Sequence, residues 1–96
     1  MLDIKVSGYA RARKGVDKKI KQLIERISDD VLVVARSKTP IRLGRARRGW
    51  RKIRRGRDIS VANTVPYIDL LEAGSSKQAP RGILKPTITE ITRRRY

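Results

Sequence analysis

Ninety-six residues suffice for one small domain and not for two ordinary ones, and 25 Lys and Arg against 9 Asp and Glu leave a formal net charge of +16. With no Cys there is no disulfide framework, thiolate nucleophile or zinc-thiolate site, and with no His the usual general base and commonest metal ligand are missing. Sixteen of the 25 cations are Arg, which favours bidentate contacts with phosphate or carboxylate and points to a polyanionic or acidic neighbour. No Phe and a single Trp leave the core to Ile, Val and Leu, and a domain this small gains further stability by oligomerising. No segment approaches the roughly 18 uninterrupted apolar residues of a membrane span. The N-terminus lacks the charged leader and apolar stretch of a secretory signal, so the chain is expected to be made in a cytoplasm.

Leu2, Ile4 and Val6 alternate with polar residues up to Gly8, the period of a half-buried strand. A basic connector follows over 9–15. Val16, Ile20, Leu23, Ile24, Ile27, Val31, Val34 and Ala35 then recur in steps of three and four and predict one long amphipathic helix over about 17–38. Asp17 suits its N-terminal end, Arg36 and Lys38 its C-terminal end, and Pro40 closes it. Leu32 and Val33 widen the stripe, which implies a second surface to cover them.

Residues 42–57 are the electrostatic centre: Arg42, Arg45, Arg47, Arg48, Arg51, Lys52, Arg54, Arg55 and Arg57 place nine cations in sixteen positions with no acid among them. Leu43, Trp50 and Ile53 are interspersed, and residues 59–65 alternate cleanly. With Gly56 as the turn, the pattern predicts a β-hairpin of about 50–55 against 58–64, carrying a basic arm or loop at 42–49. Pro66 ends the ladder, residues 67–73 read as two helical turns stopped by Gly74, and 75–82 as a loop. Pro86 suits the first turn of a last helix over about 86–94, burying Ile88 and Ile91.

Candidate chemistry is sparse. Glu25, Asp29 and Asp30 lie along the long helix, where pairing with Lys or Arg four residues away is the plain explanation. Asp69 and Glu72 share a face and could serve a metal or an acid-base pair, but without His, Cys, a P-loop or Gly-x-Ser-x-Gly an enzyme is not expected, and neither is a cofactor. The basic block suits phosphates, with Trp50, Tyr9 or Tyr67 available to stack on bases. Eight phosphate contacts would give a salt slope of about −7. The same block could instead meet carboxylates of a neighbouring subunit. Tyr67 reads as a core anchor of the hairpin, Trp50 as core or as an interface anchor.

The order of these features resembles the tail-completion or head-tail joining (neck) proteins of long-tailed bacteriophages. The long helix ends in Ala35-Arg36-Ser37-Lys38-Thr39-Pro40 and is followed by Gly44-Arg45-Ala46-Arg47-Arg48-Gly49-Trp50, similar to the family's Thr-Pro, Gly, Leu-Arg-Ser pattern. Val65-Pro66-Tyr67, Leu70-Leu71 and Glu72-Ala73-Gly74 resemble its Pro-Tyr-Ala and Glu-x-Gly. Ser76 to Leu84 is similar to its Gln-Ala-Pro-x-Gly-Met segment. Ala46 and Gly49 stand where the family has a larger apolar residue and a Ser.

The resemblance covers about residues 16–92 and implies a single α+β domain, with a twisted antiparallel sheet and its hairpin packed on the long helix. Short helices follow near the C-terminus. It further implies a virion structural protein that assembles as a ring, commonly a hexamer, completing the tail and docking on the head connector and on tail-tube or tail-terminator proteins. Phage DNA would pass through the channel without sequence-specific contact, no membrane partner is implied, and assembly would occur in the host cytoplasm. Apolar surfaces on the long helix and near Leu70 and Leu71 would build the subunit and the ring. The alternative from composition alone is a small free-standing basic nucleic-acid-binding protein.

Overall fold

A computed structural model describes residues 1–7, 14–40, 44–56, 58–74 and 79–94. Its elements are β1 (Leu2–Val6), α1 (Lys14–Lys38), α2 (Arg45–Arg48), β2 (Trp50–Arg55), β3 (Asp58–Asn63), α3 (Ile68–Glu72) and α4 (Leu84–Thr92). The fold is α+β, a three-stranded antiparallel sheet packed with the long helix α1 and the short C-terminal α4.

The sheet order is β1-β3-β2, so the hairpin β2-β3 accepts the first strand along the free edge of β3. Gly56, at φ 61°, supplies the left-handed turn that joins Arg55 to its register partner Asp58. Strand alternation then sorts the side chains. Leu2, Ile4 and Val6, Ile59, Val61 and Asn63, and Trp50, Lys52 and Arg54 share one face, while Asp3, Lys5, Ser60, Ala62, Arg51, Ile53 and Arg55 share the other.

The first face meets α1, whose stripe buries Ile24, Val31, Val34 and Ala35. Ile68 of α3 and Ile83, just before α4, join the same core and are fully buried. One stripe residue behaves differently from its spacing, Leu23, which is 37% exposed; of the two residues that widen the stripe, Leu32 packs on the core and Val33 is 63% exposed. On the last helix Ile88 is 47% exposed, whereas Ile91 packs inward as its period requires. Buried Ser28 and Thr87 satisfy their hydroxyls on carbonyls of their own turns, Glu25 at 2.8 Å and Ile83 at 2.7 Å.

The starts of α1 and α4 both differ from the sequence expectation. Helix α1 begins at Lys14, a turn or so before Asp17. Helix α4 begins at Leu84, leaving Pro86 within its first turn, because its cap comes from elsewhere in the chain. The Glu72 carboxylate accepts hydrogen bonds from the backbone N–H of Ile83 (2.8 Å) and Leu84 (3.1 Å), satisfying amides that a helix start leaves open. Gly82, at φ 80°, lies so close beneath Glu72 that a Cβ there would meet both its carboxylate and, at 2.5 Å, its backbone oxygen.

Candidate nucleic-acid interface

The basic block is not an arm over its described length. Residues 45–48 form one helical turn and 50–55 an edge strand, so each cation is assigned a direction by the backbone that carries it. Arg42 and Arg57, like Tyr9 and the connector at 8–13, lie outside the described residues.

Three of the nine cations serve the fold. Lys52 and Arg54 face α1, where Lys52 Nζ lies 2.6 Å from Glu25 and bonds Asp29 as well, and Arg54 Nη2 lies 2.6 Å from the second Glu25 oxygen. The place of these acids on one helix predicts pairing with Lys or Arg four residues away. They instead reach across to β2, because Glu25 and Asp29, four apart and beside the buried Ile24 and Ser28, flank the face of α1 that meets the sheet. The hydrogen bond from Lys52, then that from Arg54, holds the Glu25 carboxyl below its usual range despite some desolvation. For Lys52 burial is the largest influence and lowers the pKa, but the bonds and charges of Asp29 and Glu25 together outweigh it, so the net shift is upward.

Arg47 is the third: its guanidinium donates through Nε and Nη2 to the Thr39 carbonyl at 3.3 and 3.0 Å. Arg36 adds a bond from Nη2 to the Trp50 carbonyl at 3.3 Å. The end of α1 is thereby tied to α2 and to the start of β2.

The remaining described cations point outward. Arg45 and Arg48, three apart, share one side of α2, and with Arg51 they line a cleft of about 300 Å3 that Gly49, Thr64, Val65 and Pro66 complete. Arg51 and Arg55 stand on the sheet face away from α1, about 13 Å apart along the strand. All four arginines are exposed, and among the described residues no acid forms an ion pair with them. On that face Asp58 is taken by Lys5 at 3.3 Å, and Asp3 stands two strands away from Arg51 across Ala62. The cleft can hold an anionic group by bidentate guanidinium contacts, with the Thr64 hydroxyl as a further donor.

Comparison of the chain with protein-family models, with curated proteins and with solved structures finds no match.

The aromatic residues take other roles than base stacking. Trp50 is 1% exposed in the core, and its indole N–H donates to Thr39 Oγ1 at 2.8 Å, so it is neither a stacking platform nor an interface anchor. It points inward because position 50 is in phase with Lys52 and Arg54 on the α1 side of the sheet. Tyr67 packs partly buried against the core, and its hydroxyl is enclosed with no hydrogen-bond partner among the described residues. Leu71 likewise packs on the core, whereas Leu70, on the opposite side of α3, is 64% exposed.

The acids Asp69 and Glu72 do not converge on a common site. Asp69 binds the amino group of Met1 at 3.1 Å, and Glu72 is occupied with the start of α4. Among the described residues no three acids are grouped so as to hold a metal ion, and no helix is long and apolar enough to cross a membrane.

Two positions where this chain departs from the neck pattern have a steric explanation. Ala46 is buried, and its carbonyl accepts a 2.7 Å bond from the Asn63 amide. A Cβ on Gly49 would lie 2.5 Å from Val65 Cγ2 and 2.9 Å from Asn63 Oδ1. Small residues at both places let α2 sit directly on the end of β3.

Proposed function

We propose that the chain is a structural protein of the phage neck or tail top, a ring subunit that completes the tail and joins it to the head connector around a DNA channel. The observation that carries this reading is the order of motifs from the Thr39-Pro40 helix end to the Gly82-Ile83-Leu84 segment, whose residues lock onto one another. Thr39 anchors Trp50 and Arg47, and Glu72 clasps Ile83 and Leu84 over Gly82. Motifs whose internal contacts hold the fold together in this way suit a protein that acts by assembly.

The surface supports the same role. Leu23, Val33, Leu70 and Ile88 are large apolar residues left exposed on three different helices, material for subunit contacts. The Arg45, Arg48 and Arg51 cleft has no acid paired to it among the described residues, and closure of a ring would repeat it around the channel. Contacts from guanidinium to phosphate, with no exposed aromatic among the described residues of the block, hold DNA without reading it and permit sliding. Cryo-electron microscopy of particles that carry this chain should resolve it as a ring at the head-tail junction. Its absence from both junction and tail overturns the reading.

A second reading, a free-standing nucleic-acid-binding protein, draws on one fact: the three-arginine cleft is complete within a single chain. Sedimentation in moderate salt separates the two. Ring-sized species favour the neck protein, and a monomer or dimer that binds DNA tightly without any junction in a virion favours the second.

A further inference from the structure

Away from the 42–57 block, the C-terminal end of α1 and the start of α4 enclose a second concave surface. Two adjoining clefts of about 390 and 650 Å3 share Lys38, Arg81 and Pro86 in their walls. The larger is completed by Lys85, Thr89, Glu90 and Arg93. Lys85, Thr89 and Arg93 recur every four residues along α4 and its cap, which aligns them in one row at intervals of about 6 Å.

Arg81, Lys85 and Arg93 are exposed and, among the described residues, in no ion pair. Glu90, the one acid among the described residues of the wall, is already held by Lys38 at 3.2 Å and Arg94 at 3.1 Å, so it does not offset them. The row therefore presents a net positive, regularly spaced set of donors.

We propose that this groove binds the sugar-phosphate backbone of a nucleic acid. A line of cations with a hydroxyl between them matches a polymer whose charge repeats evenly. A folded protein partner would bring apolar anchors, and among the described residues Pro86 is the only apolar one in the wall of the larger cleft. The smaller cleft adds Pro40 and Pro80, apolar surface on which a sugar can rest beside the phosphates. Helix α2 joins this groove to the first cleft: Arg47 lines the one, Arg45 and Arg48 the other. The groove lies within one chain, so the proposal does not rest on ring assembly or on the neck reading.

The test is the salt dependence of binding of the full chain to two unrelated DNA duplexes. Replacing Arg81, Lys85 and Arg93 together by Gln should flatten the slope of log affinity against log salt by about 2.7, equally on both duplexes. Lys18→Gln, Lys19→Gln and Lys21→Gln on the distal half of α1 remove the same charge and should leave the slope nearly unchanged. Equal effects of the two triple variants would show that net charge alone is felt, and would overturn the proposal. Loss of binding to poly-glutamate with an unchanged DNA slope would also overturn it, in favour of an acidic protein. Thr89→Lys guards against misfolding as an explanation, since it should steepen the slope by about 0.9 where Gln22→Lys does not. No steepening counts against the groove.

Discussion

Trp50 sits in the most cationic stretch of the chain and is nevertheless one of its most buried side chains, with its single polar atom bonded to Thr39 Oγ1. The Thr39 hydroxyl in turn donates to the Ala35 carbonyl at 2.7 Å, so one threonine closes α1 and satisfies the indole. Thr39→Val leaves the indole N–H without a partner and should cost about 1 to 3 kcal/mol, read as a lowered urea midpoint. Because the ring is enclosed, the emission of this only tryptophan should be that of an apolar environment and should not change when DNA is added. Quenching by DNA would place the ring at the nucleic acid and contradict the packing. The strand period made either facing of Trp50 possible; what selected the inner one was the register of β2 against β3, which no local pattern specifies.

Among the elements, β2 is an edge strand whose inner face carries charge, and it is secured to α1 by Glu25 and Asp29. Glu25 has a lowered pKa, so its contribution is complete above the unfolded value near 4.5 and is lost as pH falls through the lower folded value. Lys52 has a raised pKa, so its contribution is complete below 10.5 and fades only as pH rises beyond it. Denaturant midpoints should therefore hold steady through neutral pH and fall in acid below about 4.5, and Glu25→Gln should lower the neutral midpoint while making the acid fall shallower. An acid limb as steep in the variant as in the parent would show that other carboxylates govern it.

At the other end of the molecule the clasp between α3 and α4 makes a comparable prediction. Glu72→Ala uncovers the amides of Ile83 and Leu84 and should cost about 1 to 2 kcal/mol, visible as a lower melting temperature. Gly82→Ala combines a left-handed backbone with a collision against Glu72 and should be the more damaging of the two.

At the scale of the whole molecule the charge of +16 is divided into working parts. Lys52, Arg54 and Arg47 are consumed in holding elements together, while Arg45, Arg48, Arg51 and Arg55 remain outside. Replacing Arg45, Arg48 and Arg51 by Gln should flatten the salt slope of DNA binding by about 2.7 with little effect on the melting temperature. Replacing Lys52 and Arg54 should do the reverse, lowering stability and changing the slope less. Were the two sets to behave alike, the division of the block into inward and outward cations would be wrong. Exposed Val33 and Leu70 belong to this scale too, as apolar area that the fold leaves uncovered on two separate helices.

The sequence by itself determined the elements and their punctuation. The three-and-four spacing from Ile20 to Ala35, the alternation at 2–6 and 59–63, Gly56 and Pro40 are local signals, and local backbone geometry obeys them. It also determined that positive charge must dominate the surface, since so few acids are available to answer it. Tertiary structure alone decided which cations are free. Glu25 and Asp29 stand more than twenty residues from Lys52 and Arg54, and Glu72 eleven from Ile83, so those partnerships arise only when strand register and helix packing bring separate segments within hydrogen-bonding reach. The same packing set Arg81 and Lys38 around one groove with Lys85 and Arg93, a grouping that charge counted along the chain does not contain.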